Sequence, residues 1–263
     1  LFPSDCRICG TSLVNISRLP VCDACLQAIT PIEGGLCSVC GERLVSPHAY
    51  NNDHGETRCG ICRRLDQPYV KAAAYGGYDG GLRDLIHMLK YEGVRPAANV
   101  LGRMLSEVLT GLESSFGEAS LLVIPVPLHR SKMHQRGFNQ AEAIARVALK
   151  LAHCRERYTI VTGVLERVRA TQSQIGLTRH QRRENLRGAF QVTHPEKISG
   201  CDILLVDDVF TTGTTAGECA RVLRRAGAGR VWVATVARTL KSEAQFAHLE
   251  PDADAEKSMA AQG

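Results

Sequence analysis

Apolar positions along the chain switch between two periods, and the switching outlines a fold. Val70 to Tyr78 reads as a strand that runs into the turn Gly76-Gly77-Tyr78-Asp79-Gly80-Gly81. Leu82, Leu85, Ile86 and Leu89 then recur at helical spacing, and Lys90-Tyr91-Glu92-Gly93 stops that helix. A second helix is predicted from Pro96 to Leu112, with Leu101, Met104, Leu105, Val108, Leu109 and Leu112 on one face and Pro at its start. Leu121 to Val126 is a short unbroken apolar run, the mark of a strand buried on both sides. Asn139 to Leu151 is again helical, on Ala141, Ile144, Ala145, Ala148 and Leu149. Gly163 to Val168 and Gly188 to Thr193 read as two more strands, and Ile203 to Val206 as another buried one. A helix on Cys219, Val222, Leu223 and Ala226 follows, and Arg230 to Ala237 closes the sheet. Strands alternating with amphipathic helices predict an α/β fold with a doubly wound, mostly parallel sheet.

The first 66 residues lack this alternation and are organised by cysteine instead. Eight of the eleven cysteines form four Cys-x-x-Cys pairs: Cys6/Cys9, Cys22/Cys25, Cys37/Cys40 and Cys59/Cys62. Two thiolates at this spacing grip one metal from a tight turn, and two such turns complete a tetrahedral site. The first and third pairs are each followed by Gly (Gly10, Gly41), which relieves the tight backbone after a metal knuckle, so the pattern looks like a tandem repeat of two zinc ribbons. Sequential pairing puts Cys6, Cys9, Cys22 and Cys25 on one zinc and Cys37, Cys40, Cys59 and Cys62 on the other; an interleaved arrangement stays open. His48 and His54 are read as surface residues, because four thiolates already suffice. Cys154, Cys201 and Cys219 are isolated and read as packing residues.

At 263 residues the chain can hold one medium α/β domain beside this small module. The formal charge of +5 is unevenly placed: residues 1–66 carry six Lys/Arg against seven Asp/Glu, so the positive excess lies further on. Near-neutral charge and few aromatics in the ribbons favour a stabilising role there over a nucleic-acid surface. No stretch approaches the roughly twenty apolar residues of a membrane span, and the first residues lack a signal-peptide pattern, so a cytoplasmic protein is expected. The acidic tail after Leu240 is expected to be disordered.

The candidate chemistry lies in Ile203-Leu-Leu-Val-Asp-Asp-Val-Phe-Thr-Thr-Gly-Thr-Thr215. An apolar strand ends in Asp207 and Asp208, and a Thr/Gly loop then opens a helix. In open α/β sheets ligands bind outside the carboxyl ends of strands. Two carboxylates there can accept from neighbouring sugar hydroxyls. Free N–H groups at the helix start, with Thr211, Thr212, Gly213, Thr214 and Thr215, suit a phosphate. The loop has no Gly-Lys-Ser/Thr ending and no G-x-G-x-x-G, so neither a Walker A loop nor a dinucleotide fingerprint is present. Between Val126 and Asn139 a strand-to-helix loop carries Arg130, Lys132 and Arg136, cations suited to a pyrophosphate leaving group. Residues 167–187 hold six Arg against one Glu, with Arg179, Arg182 and Arg183 in a long polar connection of the length that usually carries function.

Residues 203–215 closely resemble the phosphoribosyl-pyrophosphate (PRPP) signature of type I phosphoribosyltransferases. Around it stand Leu89-Lys-Tyr-Glu-Gly93, Pro125-Val-Pro-Leu-His129, Arg136-Gly-Phe-Asn-Gln-Ala-Glu142, Thr171-Gln-Ser-Gln-Ile-Gly-Leu-Thr-Arg179 and Arg182-Arg-Glu-Asn-Leu-Arg-Gly-Ala-Phe190. With the four cysteine pairs the set resembles the ComF family, competence-associated double-zinc-ribbon proteins, over residues 4–240. That resemblance implies a type I phosphoribosyltransferase fold, with a double zinc ribbon at 1–66, a phosphoribosyltransferase domain at 67–240 and a tail at 241–263. It implies Asp207 and Asp208 on the ribose hydroxyls, residues 211–215 on the 5′-phosphate, Arg130, Lys132 and Arg136 in a pyrophosphate loop, and Arg179, Arg182 and Arg183 in a mobile loop closing over PRPP. Two structural zinc ions, and Mg²⁺ arriving with PRPP, are the implied metals. Thr211 stands where purine-salvage relatives carry an acid, so the motif looks more like the orotate-type version. The function expected is phosphoribosyl transfer to an unidentified acceptor, linked to DNA uptake. The alternative is a non-catalytic factor that handles single-stranded DNA, with competence proteins as further partners, and keeps the PRPP pocket.

Overall fold

The computed structural model describes residues 5–13, 17–44, 57–170 and 179–240, with the backbone alone at 179, 180, 182 and 183. His48, His54, residues 171–178 and the tail lie outside the described residues. Two short helices, α1 (Asp23–Gln27) and α2 (Gly60–Arg64), belong to the cysteine-rich part. Then follow β1 (Lys71–Gly77), α3 (Gly80–Tyr91), α4 (Ala97–Phe116), β2 (Leu121–Pro125), α5 (Arg130–Arg136), α6 (Gln140–Leu151) and β3 (Tyr158–Ile160). The chain continues through β4 (Leu165–Arg167), α7 (Arg179–Leu186), β5 (Phe190–Val192), β6 (Asp202–Phe210), α8 (Thr214–Arg225) and β7 (Val231–Arg238).

Five strands form one parallel sheet in the order β1-β7-β6-β2-β3. Its central strands read as unbroken apolar runs because both faces are covered. Leu204 and Val206 of β6, with Trp232, Ala234 and Val236 of β7, pack in the core shared with α3, α4 and α6. Ile203 and Leu205, with Val231 and Val233, pack on the other face with Cys219, Ala220 and Leu223 of α8. The sheet is thus wound on both faces, the fold class expected. Among the described residues no helix is long and apolar enough to cross a membrane.

Three expectations need correction. The strands read at 163–168 and 188–193 are not in the main sheet: β4 and β5 pair antiparallel with each other, as Leu165 with Val192 and Arg167 with Phe190. Alternating apolar residues specify a strand but not its partner. The sheet is completed instead by β3, three residues long and too short to show a pattern. The polar connection at 167–187 contains α7, whose sequence carries little apolar periodicity to announce it. In α8 the buried face is Ala216, Gly217, Glu218, Cys219, Ala220 and Leu223, while Val222 and Ala226 are half-buried.

The cysteine-rich part docks on the open edge of β1. The Tyr75 carbonyl accepts from Ile32 N–H at 2.7 Å, and Ala72 N–H donates to the Val39 carbonyl at 2.7 Å. These contacts cover backbone groups that an edge strand would otherwise expose. Cys6, Leu19 and Val21 join the core of α3 and α4. Gly41 is required at the junction: its φ is +68°, and a Cβ there would sit 2.9 Å from the Ala72 carbonyl oxygen.

Candidate functional site

Two cysteine clusters stand beside the sheet, and their pairing is sequential. Cys6, Cys9, Cys22 and Cys25 converge, as do Cys37, Cys40, Cys59 and Cys62, with all sulfurs of a cluster within 4.8 Å of one another. A zinc ion bound tetrahedrally at about 2.3 Å per sulfur requires sulfurs about 3.8 Å apart. The cross-pair distances are 3.9 Å for Cys6–Cys25, 3.7 Å for Cys9–Cys22 and 3.6 Å for Cys40–Cys59. None of these cysteines forms a disulfide. The two knuckles repeat each other: Gly10 N–H donates to the Cys6 carbonyl and Gly41 N–H to the Cys37 carbonyl. In each repeat the second pair opens a five-residue helix, with Cys22 and Cys59 at the N-cap positions. The Cys25 thiol is pushed up by Cys9 and Cys22, and the Cys62 thiol by Cys37 and Cys40. Such clusters ionise fully only around a cation. Both donor sets therefore fit structural zinc. Replacing Cys6, Cys9, Cys22 and Cys25 together by Ser should leave one zinc per chain, measured by atomic absorption. Interleaved sites would leave none.

The two acids, read from the sequence as ending the strand, lie within β6, which continues to Phe210. Side chains alternate along a strand, so adjacent acids are directed apart. Asp208 is 5% exposed and forms an ion pair with Lys90, from the last turn of α3. Asp207 is half-buried and lies in the field of Lys90 and of Arg167 from β4. It also lines a narrow cleft with Thr211, Gly213, Thr215 and Thr235. Backbone bonds fix both acids: Asp208 N–H donates to Asp207 Oδ1 and Val209 N–H to Asp208 Oδ1, each at 2.9 Å. Burial raises Asp207 to about 6, and the charges of Lys90 and Arg167 oppose that rise. Burial lowers Lys90 to about 8 against the pull of Asp207, and Arg136 and Lys132 lower it further.

The Thr/Gly loop turns tightly into α8. Gly213 caps α8 with φ +73°, and a Cβ there would lie 2.6 Å from the Phe210 ring. Only glycine meets both conditions without strain. The Thr212 and Thr214 hydroxyls are 2.6 Å apart. Thr215 and Ala216, in the first turn of α8, line the same cleft as Asp207, and the first N–H groups of a helix have no partner within it.

The cationic connection after β2 is a helix, α5, rather than an open loop. His129 caps it by accepting from Ser131 N–H at 3.3 Å, and Gly137 ends it in the left-handed region. Residues with good helix propensity and a cap at each end account for the difference. The helix divides the three predicted cations. Lys132 and Arg136 act on Lys90, with Arg136 held by Gln140 and stacked 5.7 Å from the Tyr91 ring centre. Arg130 instead lines a separate cavity of about 230 Å³ beside Glu142, Glu166 and Arg167. Arg179, Arg182 and Arg183 fall in α7, and their side chains lie outside the described residues. Lys90 and Arg167 are the charged residues whose role sequence reasoning missed. Lys90 ends a helix, where a cation is ordinary, and Arg167 was one of six arginines in a polar stretch.

Residues 1–64 match the family model described as the double zinc ribbon domain. The chain is 32% identical over 239 residues to the DNA utilization protein YhgH of Escherichia coli (strain K12), covering 90% of this chain and 98% of that protein. It is 27% identical over 235 residues to competence protein F of Haemophilus influenzae, covering 89% and 96%. Among solved structures, a hypoxanthine phosphoribosyltransferase from Staphylococcus aureus aligns with a TM-score of 0.29 at 15% identity, over 58% of this chain and 68% of that one.

Proposed function

This chain belongs to the ComF family, and we propose that it binds PRPP with Mg²⁺ in the cytoplasm and transfers its phosphoribosyl group to an acceptor, in support of DNA use or uptake. The observation that carries this proposal is that Asp207 lines the cleft of the Thr/Gly loop in the field of Arg167 and of Lys90, the cation that also pairs with Asp208. That loop takes the 5′-phosphate on the first N–H groups of α8 and the hydroxyls of Thr211 to Thr215. Asp207 accepts from a ribose hydroxyl. Asp208 serves a neighbouring hydroxyl once the sugar competes with Lys90 for it. Lys132 and Arg136, on the helix beside Lys90, hold the pyrophosphate. Mg²⁺ supplies charge neutralisation to the leaving group, and the two carboxylates are hard oxygen donors suited to it. In the transfer the acceptor's lone pair forms the bond to C1′, and the C1′–O bond breaks with its electron pair leaving on pyrophosphate. The acceptor's proton passes to solvent. The names of the relatives support the link to DNA.

Isothermal titration of PRPP and Mg²⁺ into the zinc-loaded protein tests the proposal. Saturable heat is expected from the wild type, falling at least about 100-fold in affinity in Asp207→Ala/Asp208→Ala, as two charge-assisted hydrogen bonds are lost. No heat with the wild type sinks it. The reading in which the chain handles single-stranded DNA without catalysis draws on the arginines of 167–187. A gel-shift salt series on Arg179→Ala/Arg182→Ala/Arg183→Ala tests that reading, and an unchanged affinity removes this segment as the DNA site.

A further inference from the structure

The two cysteine clusters share one donor set and differ in access. In the second, Cys37, Cys59 and Cys62 are 1%, 7% and 4% exposed, and Cys40 is half-buried. In the first, Cys6 is 2% exposed, Cys22 and Cys25 are half-buried, and Cys9 is exposed. Sulfur separation does not distinguish them, at 3.7 Å for Cys9–Cys22 and 3.6 Å for Cys40–Cys59. The difference follows from how each ribbon docks. The second is covered by the sheet: Arg238 of β7 donates to the Cys40 carbonyl, and Val39 and Cys40 pack against the core on the α8 face. Cys40, Cys59 and Cys62 edge a cavity beside Tyr69 and Phe210, but Cys59 and Cys62 present little surface to it. The first ribbon buries its other side, with Cys6, Leu19 and Val21 in the core of α3 and α4, and leaves Cys9 in solvent.

We propose that the first ribbon is an oxidant-sensitive zinc site, which a hydroperoxide enters at Cys9 and empties while the second zinc stays bound. Oxidation of a thiolate follows its exposure. Cys6 is a poor point of entry, being buried and accepting from Cys22 N–H at 3.4 Å. The Cys9 thiolate attacks a peroxide oxygen, the O–O bond breaks, hydroxide leaves, and Cys9 becomes a sulfenic acid. The Cys22 thiolate, 3.7 Å away, then attacks the Cys9 sulfur. The S–S bond forms as the S–O bond breaks, and a second hydroxide leaves. Two thiolates and one hydrogen peroxide thus give one disulfide and two hydroxides. Zinc loses two of its four ligands, and the closed tetrahedral site is gone.

The loss reaches the sheet through α3. Cys6, Leu19 and Val21 share one core with Leu82, Leu85, Ile86 and Leu89 of that helix. Arg7, next to Cys6 in the knuckle, pairs with Glu92, which follows α3 two residues after Lys90. That ion pair is exposed and contributes little by itself, so the buried packing carries the coupling. Small zinc modules unfold without their metal. Emptying the first site therefore uncovers the end of α3, which holds Lys90 against Asp208.

The test is a hydrogen peroxide titration of the zinc-loaded full chain, with released zinc read by a chromogenic chelator. One zinc per chain should leave at least about tenfold faster than the other, with two thiols lost alongside it. Peptide mapping should find the disulfide between Cys9 and Cys22. Cys9→His keeps a zinc ligand without the entry thiol, and should slow the first release at least about tenfold. Cys40→His should leave that release unchanged. Hydrogen exchange across residues 82–92 should rise on oxidation and fall again after reductant and zinc are added. Equal release of the two zincs, or earlier oxidation of the second cluster, overturns the proposal on the wild type alone, whatever the variants bind. A first release indifferent to Cys9→His, in a variant that holds two zincs, overturns Cys9 as the entry, and a disulfide mapped to another pair overturns Cys22 as its partner. Zinc release with unchanged exchange in α3 overturns the coupling to the sheet.

Discussion

Asp207→Asn should raise the melting temperature at pH 7.5 while weakening PRPP binding about tenfold, the worth of one charge-assisted hydrogen bond. Burial lifts the folded-state pKa of Asp207 to about 6, from an ordinary value of 3.8. A carboxyl with a raised folded pKa favours folding when protonated. Its contribution is complete below pH 3.8 and is lost as pH rises through 6. Above that pH the ionised group opposes folding by up to about 3 kcal/mol, at about 1.4 kcal/mol per pKa unit. Asn keeps the shape and removes the charge, so the stabilisation should appear at pH 7.5 and vanish near pH 4. Thermal melts of both proteins across that range test the sign. Equal melting temperatures at pH 7.5 would show that Lys90 and Arg167 fully compensate the charge. The wild-type affinity for PRPP should fall as pH drops through 6, more steeply than that of Asp207→Asn. Titration of PRPP itself is common to both proteins and cancels in the comparison. A group that destabilises the fold where it is ionised is placed for binding rather than for stability.

The parts of this molecule legible in the sequence are those whose physics is local. A Cys-x-x-Cys-Gly knuckle closes within five residues, so its spacing reveals it without the fold. Sequential pairing, left open by spacing, was decided only when the turns were placed in space. Leu204 to Val206 announce a buried strand because both faces are covered. Strand partners are a different matter: β4 and β5 look like sheet strands, yet they pair with each other outside it. The charges that tune the acids were not legible either. Lys90 lies 118 positions before Asp208; it follows Leu89 in an ordinary helix end, and only the fold brings it to that acid. Arg238 ends an apolar strand where an exposed cation would be unremarkable, and becomes buried because the second ribbon folds over it.

Arg238→Met should lower stability by roughly 3–5 kcal/mol, among the largest single-residue effects in the chain. Its side chain is 3% exposed and bonds Glu42 Oε2 at 3.0 Å. It also donates to the Cys40 carbonyl and lies 5.3 Å over the centre of the Phe210 ring. One guanidinium therefore ties the second ribbon to the last strand of the sheet and to the start of the Thr/Gly loop. Removing it leaves the Glu42 carboxylate buried beside a thiolate cluster with no countercharge. In a chain of this size that loss corresponds to a melting temperature lower by on the order of 10 °C. Arg238→Met/Glu42→Leu removes both charges and should recover most of the loss, because an apolar pair of similar volume is often as stable as a buried ion pair. Melts of the two zinc-loaded variants against the wild type decide the matter. A single-variant loss under about 1 kcal/mol would mean that water reaches the pair. A double variant no better than the single would put the cost in the Cys40 contact and the Phe210 stack, not in the stranded charge.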